Sequence, residues 1–296
     1  MQEASSKFRN LGSPRRIWAV AATQGNARLL AAIHDALAER FRAGDRLVYL
    51  GTYLGPRTED NETVMTELLA FRAALLAKPG LETTDIVHLR GPAEEAWQRL
   101  LRLQFASVPG RAVETLLAEG AGDFLHLYGQ GVREARQIAK ADSPTITRWT
   151  SHLRLLQRLS PGHEAFACSL ARAAFTSGDG GQSLKPLLFV PAGFEACRSL
   201  EDQGDSLWYN SLSFGINMDE CPYVRVVRGF DARGGGIHLE GPAVTLSDVP
   251  HSLTCACFDA AGNVVDVVRE GSREEACERK REDSSSPGCL HASAAA

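Results

Sequence analysis

The stretch whose reading decides the fold is Asp45-Arg46-Leu47-Val48-Tyr49-Leu50-Gly51-Thr52-Tyr53. Its centre, Leu47 to Leu50, is an apolar run too short for a helix, bounded by a charged pair on one side and a glycine on the other. Such a run suits a strand buried on both faces. Strands of this kind deliver function at their carboxyl ends, so the residue just past Gly51, Thr52, is expected to face a crevice.

Upstream, Arg16-Ile17-Trp18-Ala19-Val20-Ala21 reads as another strand. A loop, Ala22 to Gly25, follows it. Asn26 then caps a helix that places Leu29, Leu30, Ile33, Leu37 and Phe41 on one face. Downstream, a polar loop from Gly55 to Glu62 leads to a helix from about Thr63 to Lys78, burying Val64, Leu68, Phe71 and Leu75 and closed by Pro79-Gly80. A third strand, Asp85 to Arg90, stops at Gly91 and gives way to a helix with Trp97, Leu100, Leu101 and Phe105. Three strand–loop–helix units in a row predict a largely parallel sheet.

From 109 to 176 the apolar spacing is helical throughout, which predicts a helical insertion. Pro186 to Val190 is a further strand ending in Pro191-Ala192-Gly193. Short strands follow at 223–227, 237–239, 252–258 and 264–268. They predict a second sheet, with Asp259 to Asn263 as a hairpin connection. The expected organisation is a flexible leader over 1–13, one domain over 14–270, and a disordered tail over 271–296, charge-dense and then rich in Ser and Ala.

With 296 residues, 44% apolar and 23% charged, the chain has ample material for a large core. A net charge of −4 without a dense Lys/Arg stripe argues against nucleic acid and anionic membranes as partners. No eighteen apolar residues run together and the first sixteen residues contain no signal-type apolar core, which places the protein in the cytoplasm. Seven scattered cysteines read as reduced thiols.

Several strand ends carry a further pattern. Ala21-Ala22-Thr23-Gln24-Gly25-Asn26, Gly51-Thr52-Tyr53-Leu54-Gly55, Arg90-Gly91-Pro92-Ala93-Glu94, Phe189-Val190-Pro191-Ala192-Gly193 and Val227-Arg228-Gly229-Phe230 come in that order. In order and frame they resemble the calcineurin-like metallophosphoesterases, and within them the bacterial serine/threonine protein phosphatases. That family carries GDxHGN, GDxxD, RGNHE, a VHAG and a GH at these places. The resemblance spans most of residues 15 to 268. It implies an α/β (α+β) sandwich of two mixed β-sheets flanked by helices, with a helical insertion, and a pocket formed by Ala22, Gln24, Thr52, Pro92, Ala93, Glu94, Pro191 and Phe230.

The resemblance also implies which residues are missing. Ala22, Thr52, Pro92, Pro191 and Phe230 stand where the family has metal ligands, Gln24 replaces a histidine, and Ala93 replaces the proton-donating histidine. A pair of divalent ions about 3.5–4 Å apart needs anionic and imidazole ligands to offset its own repulsion. Methyl, ring and hydroxyl groups do not supply them, so no metal and no other cofactor is expected, and no residue is assigned to catalysis. Arg90 and Arg228 fall beside the pocket and could bind an anion through a guanidinium fork. Against that, an arginine at a strand end is more often paired with a local carboxylate. Glu94 is expected to neutralise Arg90 or support the helix start.

Cys255-Ala256-Cys257 puts two thiols on one face of a strand without a second pair nearby, which reads as core packing. The eight histidines show no HxH or HExxH spacing. Gly178 to Gly181 and Gly234 to Gly236 lack the flanking Lys-Ser/Thr of a phosphate loop and read as turns. Three functions compete. One is a catalytically inactive binding or regulatory protein, partnered by an unidentified protein or a small phosphorylated ligand. The second is an active metal-dependent phosphoesterase with ligands rewired from His88, His238, Glu240 or Asp231, and the third is a purely structural module.

Overall fold

The computed structural model describes residues 7–56, 59–178, 185–209, 221–229, 237–246 and 252–271. The chain opens on an edge strand, β1 (Phe8–Asn10), and enters the core with β2 (Arg16–Val20), α1 (Ala27–Arg40) and β3 (Asp45–Tyr49). It continues through α2 (Asn61–Leu76), β4 (Ile86–His88) and α3 (Pro92–Leu100). β2, β3 and β4 pair in parallel, with Tyr49 opposite both Val20 and His88. The parallel core expected from the repeats is therefore present, and Ile17 to Val20 and Leu47 to Leu50 are almost wholly buried because both faces of the sheet are covered.

A buried clamp fixes the register at the start of these strands. Arg16 and Asp45 stand opposite each other, and the guanidinium donates to both carboxylate oxygens, at 3.1 and 2.7 Å. Asp45 also accepts from the Trp18 indole at 3.3 Å and from the Arg42 amide at 3.1 Å. Every oxygen of a fully buried carboxylate is thus engaged, which is the condition under which such a charge is tolerated. The pairing raises the Arg16 pKa, with the hydrogen bond to Asp45 the largest cause.

Helices fill 109–169: α4 (Pro109–Leu116), a π-turn at Leu117–Ala121, α5 (Gly122–Leu127), α6 (Val132–Ile138), α7 (Ser143–Leu159) and α8 (His163–Ser169). The expected insertion ends earlier than 176, because Ala173–Phe175 is a strand, β5. Two of its three residues are alanines, which no helical or strand periodicity distinguishes. Phe8–Asn10 is likewise a strand although it lies in the stretch read as a flexible leader. It is held by parallel pairing with β5, a backbone interaction that needs no apolar pattern.

The second sheet runs β1-β5-β6-β7-β8, where β6 is Leu187–Val190, β7 is Arg225–Arg228 and β8 is Ala243–Thr245, and a short helix, α9 (Ser206–Tyr209), lies between β6 and β7. The last two strands, β9 (Leu253–Asp259) and β10 (Val264–Glu270), were expected to join that second sheet. Instead they return to the first, giving the order β10-β9-β2-β3-β4, with β9 antiparallel to β2. The reason is burial on both faces: Leu253 to Phe258 is wholly enclosed, and the central position beside β2 provides that. The hairpin at 259–263 forms as expected, with the Asp259 amide donating to the Asn263 carbonyl at 3.0 Å. Among the described residues Ile237 to Leu239 contributes a single bridge, His238 to Thr245.

The architecture is thus two mixed sheets flanked by helices. Along β6, Leu187 and Phe189 face the first sheet while Leu188 and Val190 face a smaller outer cluster with Phe194, Leu207 and Trp208. Phe189 meets Phe258 edge to face at 5.9 Å across the interface. The sheets are joined at one side by a parallel bridge between Leu89 and Ala171. Cys255 and Cys257 are free and buried in β9, and burial pushes the Cys257 thiol up to about 12, as fits packing residues. Among the described residues no helix is long and apolar enough to cross a membrane.

Candidate functional site

The carboxyl ends of β2, β3, β4, β6 and β7 converge, and backbone contacts between their loops define the site. The Ala22 amide donates to the Gly229 carbonyl at 3.4 Å, and the Gly229 amide donates to the Pro191 carbonyl at 3.0 Å. The Gln24 and Gly25 amides donate to the carbonyls of Thr52 and Tyr53, each at 2.9 Å. The loops approach so closely that a Cβ on Gly55 would stand 2.1 Å from the Gln24 carbonyl oxygen, and one on Gly91 would stand 2.3 Å from the Thr52 nitrogen. Only glycine fits either position.

Two non-glycine residues here hold left-handed backbone, Gln24 at φ 51° and Thr52 at φ 57°. For a β-branched residue that conformation costs roughly 1–2 kcal/mol. The Thr23 and Thr52 hydroxyls are buried and have no hydrogen-bond partner among the described residues. Strain and unpaired hydroxyls are thus concentrated at strand ends, the part of the fold that fold rules assign to function.

Glu94 is the keystone. It is 2% exposed, and its carboxylate accepts from the amides of Thr52 and Gly91 at 2.8 Å and of Tyr53 at 2.9 Å. It ties the β3 loop to the start of α3. Burial pushes its carboxyl pKa up, while the backbone amides that it accepts from pull it back. Glu94 supports the helix start, as the sequence suggests, but it does not neutralise Arg90. That guanidinium reaches Glu95 at 3.3 Å, and the Arg90 carbonyl accepts from the Trp208 indole at 2.7 Å. Glu95 in turn pairs with Arg99 at 2.9 Å, and Arg99 pairs with Asp205, a surface chain of charges absent from the sequence reading because Asp205 is remote along the chain.

Ala93 lies under the helical insertion. A Cβ on Gly120, at φ 104°, would come within 2.8 Å of the Ala93 methyl, so the turn closes over the position with room for a methyl only. Pro92 opens α3, where its missing N–H costs nothing. Ala22, Ala93, Glu94, Pro191 and Arg228 are buried, whereas Gln24, Thr52 and Pro92 are partly exposed. The Arg228 Nε donates to Thr245 at 2.8 Å. Phe230 and Asp231 lie outside the described residues.

The donor set does not suit a pair of divalent ions. Glu94 is the one carboxylate among these pocket residues, and both its oxygens are already occupied by amides. Among the described residues no three His, Cys, Asp or Glu side chains gather elsewhere. His88 is buried on β4, stacked on Tyr49 at 4.6 Å and edge-on to Phe166 at 5.1 Å. His238 pairs with Thr245 on β8, at the far edge of the other sheet, so the two are not brought together.

This is a two-sheet α/β protein whose strand-end loops are welded by backbone contacts and one buried carboxylate. No family model matches the chain, and no curated protein matches it. Among solved structures it is similar to a protein serine/threonine phosphatase from Saccharomyces cerevisiae with similarity to human phosphatase PP5. The identity is 11%, over 89% of this chain and 82% of that one, with a TM-score of 0.42.

Proposed function

We propose that this chain is a catalytically inactive relative of the calcineurin-like metallophosphoesterases that works as a binding or regulatory protein, partnered by another protein or a small phosphorylated ligand. The observation that carries the reading is the use of Glu94, the one carboxylate among the pocket residues, as an amide acceptor that holds two loops together. Around it, Ala22, Ala93 and Pro191 offer no ligand atom from their side chains. Gln24 and Thr52 offer only neutral oxygens, too few and too weak to offset the repulsion of two dications. An alanine at position 93 also leaves a departing alkoxide without its acid. Against a rewired centre stands the separation of His88 and His238 onto opposite sides of the molecule.

The test is metal analysis of the purified full chain, alongside hydrolysis of a generic phosphomonoester with magnesium, manganese, zinc and iron in turn. The expected result is substoichiometric metal and no turnover above buffer. Stoichiometric metal, with turnover that a chelator abolishes, would overturn the proposal.

A further inference from the structure

Away from the strand ends, a cavity of about 690 Å³ opens beside the edge strands of both sheets. Ile86, Val87 and His88 of β4 all line it, and so do Phe8, Arg9 and Asn10 of β1. Successive residues of a strand point to opposite faces, so a space that touches three in a row runs along the edge of that strand rather than over one face. β4 ends the first sheet and β1 ends the second. The cavity is therefore a slot bordered by two sheet edges.

The β4 edge lacks partners where it meets the slot. The Leu89 amide donates to the Tyr49 carbonyl on β3 at 2.8 Å, so alternation turns the main-chain groups of Ile86 and His88 the other way. The His88 carbonyl accepts from Ala171 at 2.9 Å, whereas the amides of Ile86 and His88 donate to no described residue. Both residues are buried, and a buried main-chain donor without an acceptor is rare. The His88 Nε2 is also buried without a partner among the described residues.

The side chains around the slot add a charge preference. Arg9 and Arg72 line it, neither makes a hydrogen bond or ion pair with another described residue, and Glu201 is the one carboxylate in the lining. The two arginines serve different faces. Arg72, on α2, lies on the helix-covered side of β4, close enough to help to lower the pKa of His88. Arg9 lies on the face of β1 opposite Phe8, whose ring packs against the outer cluster.

We infer that the slot takes an extended acidic segment of a partner protein, which adds to the open edge of β4 as a further strand. Its main-chain carbonyls accept from the Ile86 and His88 amides. Acidic side chains of successive residues, pointing to opposite faces, meet Arg72 and Arg9 separately. Main-chain pairing supplies affinity for an extended segment, and the two arginines supply the preference for acid. None of the strand-end pocket residues lines the slot, so this inference stands whether or not the chain is inactive as a phosphatase.

Fluorescence anisotropy of a labelled hexapeptide, Thr-Val-Glu-Glu-Val-Thr, titrated with the full chain tests it. Saturable one-to-one binding is expected, at least tenfold weaker when both glutamates are lysines and at least tenfold weaker when every peptide amide is N-methylated. Arg72→Gln and Arg9→Gln should each weaken the acidic peptide at least threefold, and Thr84→Trp, on the exposed turn in the lining, should block it. Circular dichroism and the thermal midpoint of each variant confirm that it is folded. Absence of saturable binding, equal affinity for the N-methylated peptide, or unchanged affinity in folded Arg72→Gln would each overturn the proposal. Affinity that rises at least tenfold on deletion of residues 272–296 would give the slot to the chain's own end, and affinity that falls with rising protein concentration would give it to a second copy; either result also overturns it.

Discussion

Replacing Glu94 with glutamine separates a structural carboxylate from a chemical one. In the native protein one oxygen accepts from Tyr53 and the other from both Thr52 and Gly91. An amide has a single acceptor oxygen, so whichever way it is turned its NH2 faces at least one buried N–H. Leaving one such donor unpaired costs about 1–3 kcal/mol. The remaining bonds lose their charge assistance, which roughly halves them. The sum is a destabilisation of about 2–4 kcal/mol. Urea unfolding followed by tryptophan fluorescence would register it as a fall in midpoint of about 0.7–1.3 M at unchanged slope, given a slope of about 3 kcal/mol/M at this size. Amide exchange at Thr52, Tyr53 and Gly91 should accelerate in step. A midpoint that moves by less than about 0.2 M would refute the assignment, because a carboxylate that did chemistry without holding loops would leave stability untouched.

Three further outcomes follow from the same geometry. Ala93→His should destabilise by about 1–3 kcal/mol through collision with the Gly120 turn; a variant that unfolds at the native midpoint would show that the turn does not seal the position. Thr52→Gly relieves a left-handed β-branched residue and removes a buried hydroxyl without a described partner, and should raise stability by about 1 kcal/mol in thermal unfolding despite the entropy lost by glycine. Loss of stability there would mean that the hydroxyl or the methyl contributes packing that outweighs the strain. His88 sits near 3 when folded against 6.5 in the open chain, so the folded protein binds fewer protons between those values. Its contribution is complete above about pH 6.5 and is lost as pH falls toward 3, at about 1.4 kcal/mol per pH unit. His88→Leu should therefore flatten the acid limb of the urea midpoint by one proton, and an unaltered slope between pH 6 and 4 would count against this account. His34, also lowered by burial, remains to titrate in that variant.

Much of the fold is legible in local pattern. Leu47 to Leu50 and Ile17 to Val20 announce doubly covered strands, and Asn26 announces its helix, accepting from the Leu29 amide at 3.0 Å. Their periodicity and capping chemistry are carried by adjacent residues. The destination of β9 and β10 is not, because a buried hairpin reads the same beside either sheet. Phe8–Asn10 is a strand because it finds β5, and Ala173–Phe175 because it pairs with β1 on one side and β6 on the other; two alanines carry no pattern of their own.

The sequence by itself determined that Ala22, Gln24, Thr52, Pro92, Ala93, Pro191 and Phe230 bring no carboxylate and no imidazole, since residue identity alone settles which ligand atoms a position can offer. Tertiary structure alone decided what fills their place: Glu94 turned to three amides, Gly120 closed over Ala93, and Arg90 drawn to Glu95 rather than to its nearer expected partner. It alone also opened the cavity between β1, β4 and β5. Its two arginines lie 63 positions apart in the chain (72 − 9), and only the meeting of two sheet edges makes them neighbours of one space. Identity is a local property of the chain, whereas the orientation of a side chain and the company that it keeps are set by contacts between distant segments.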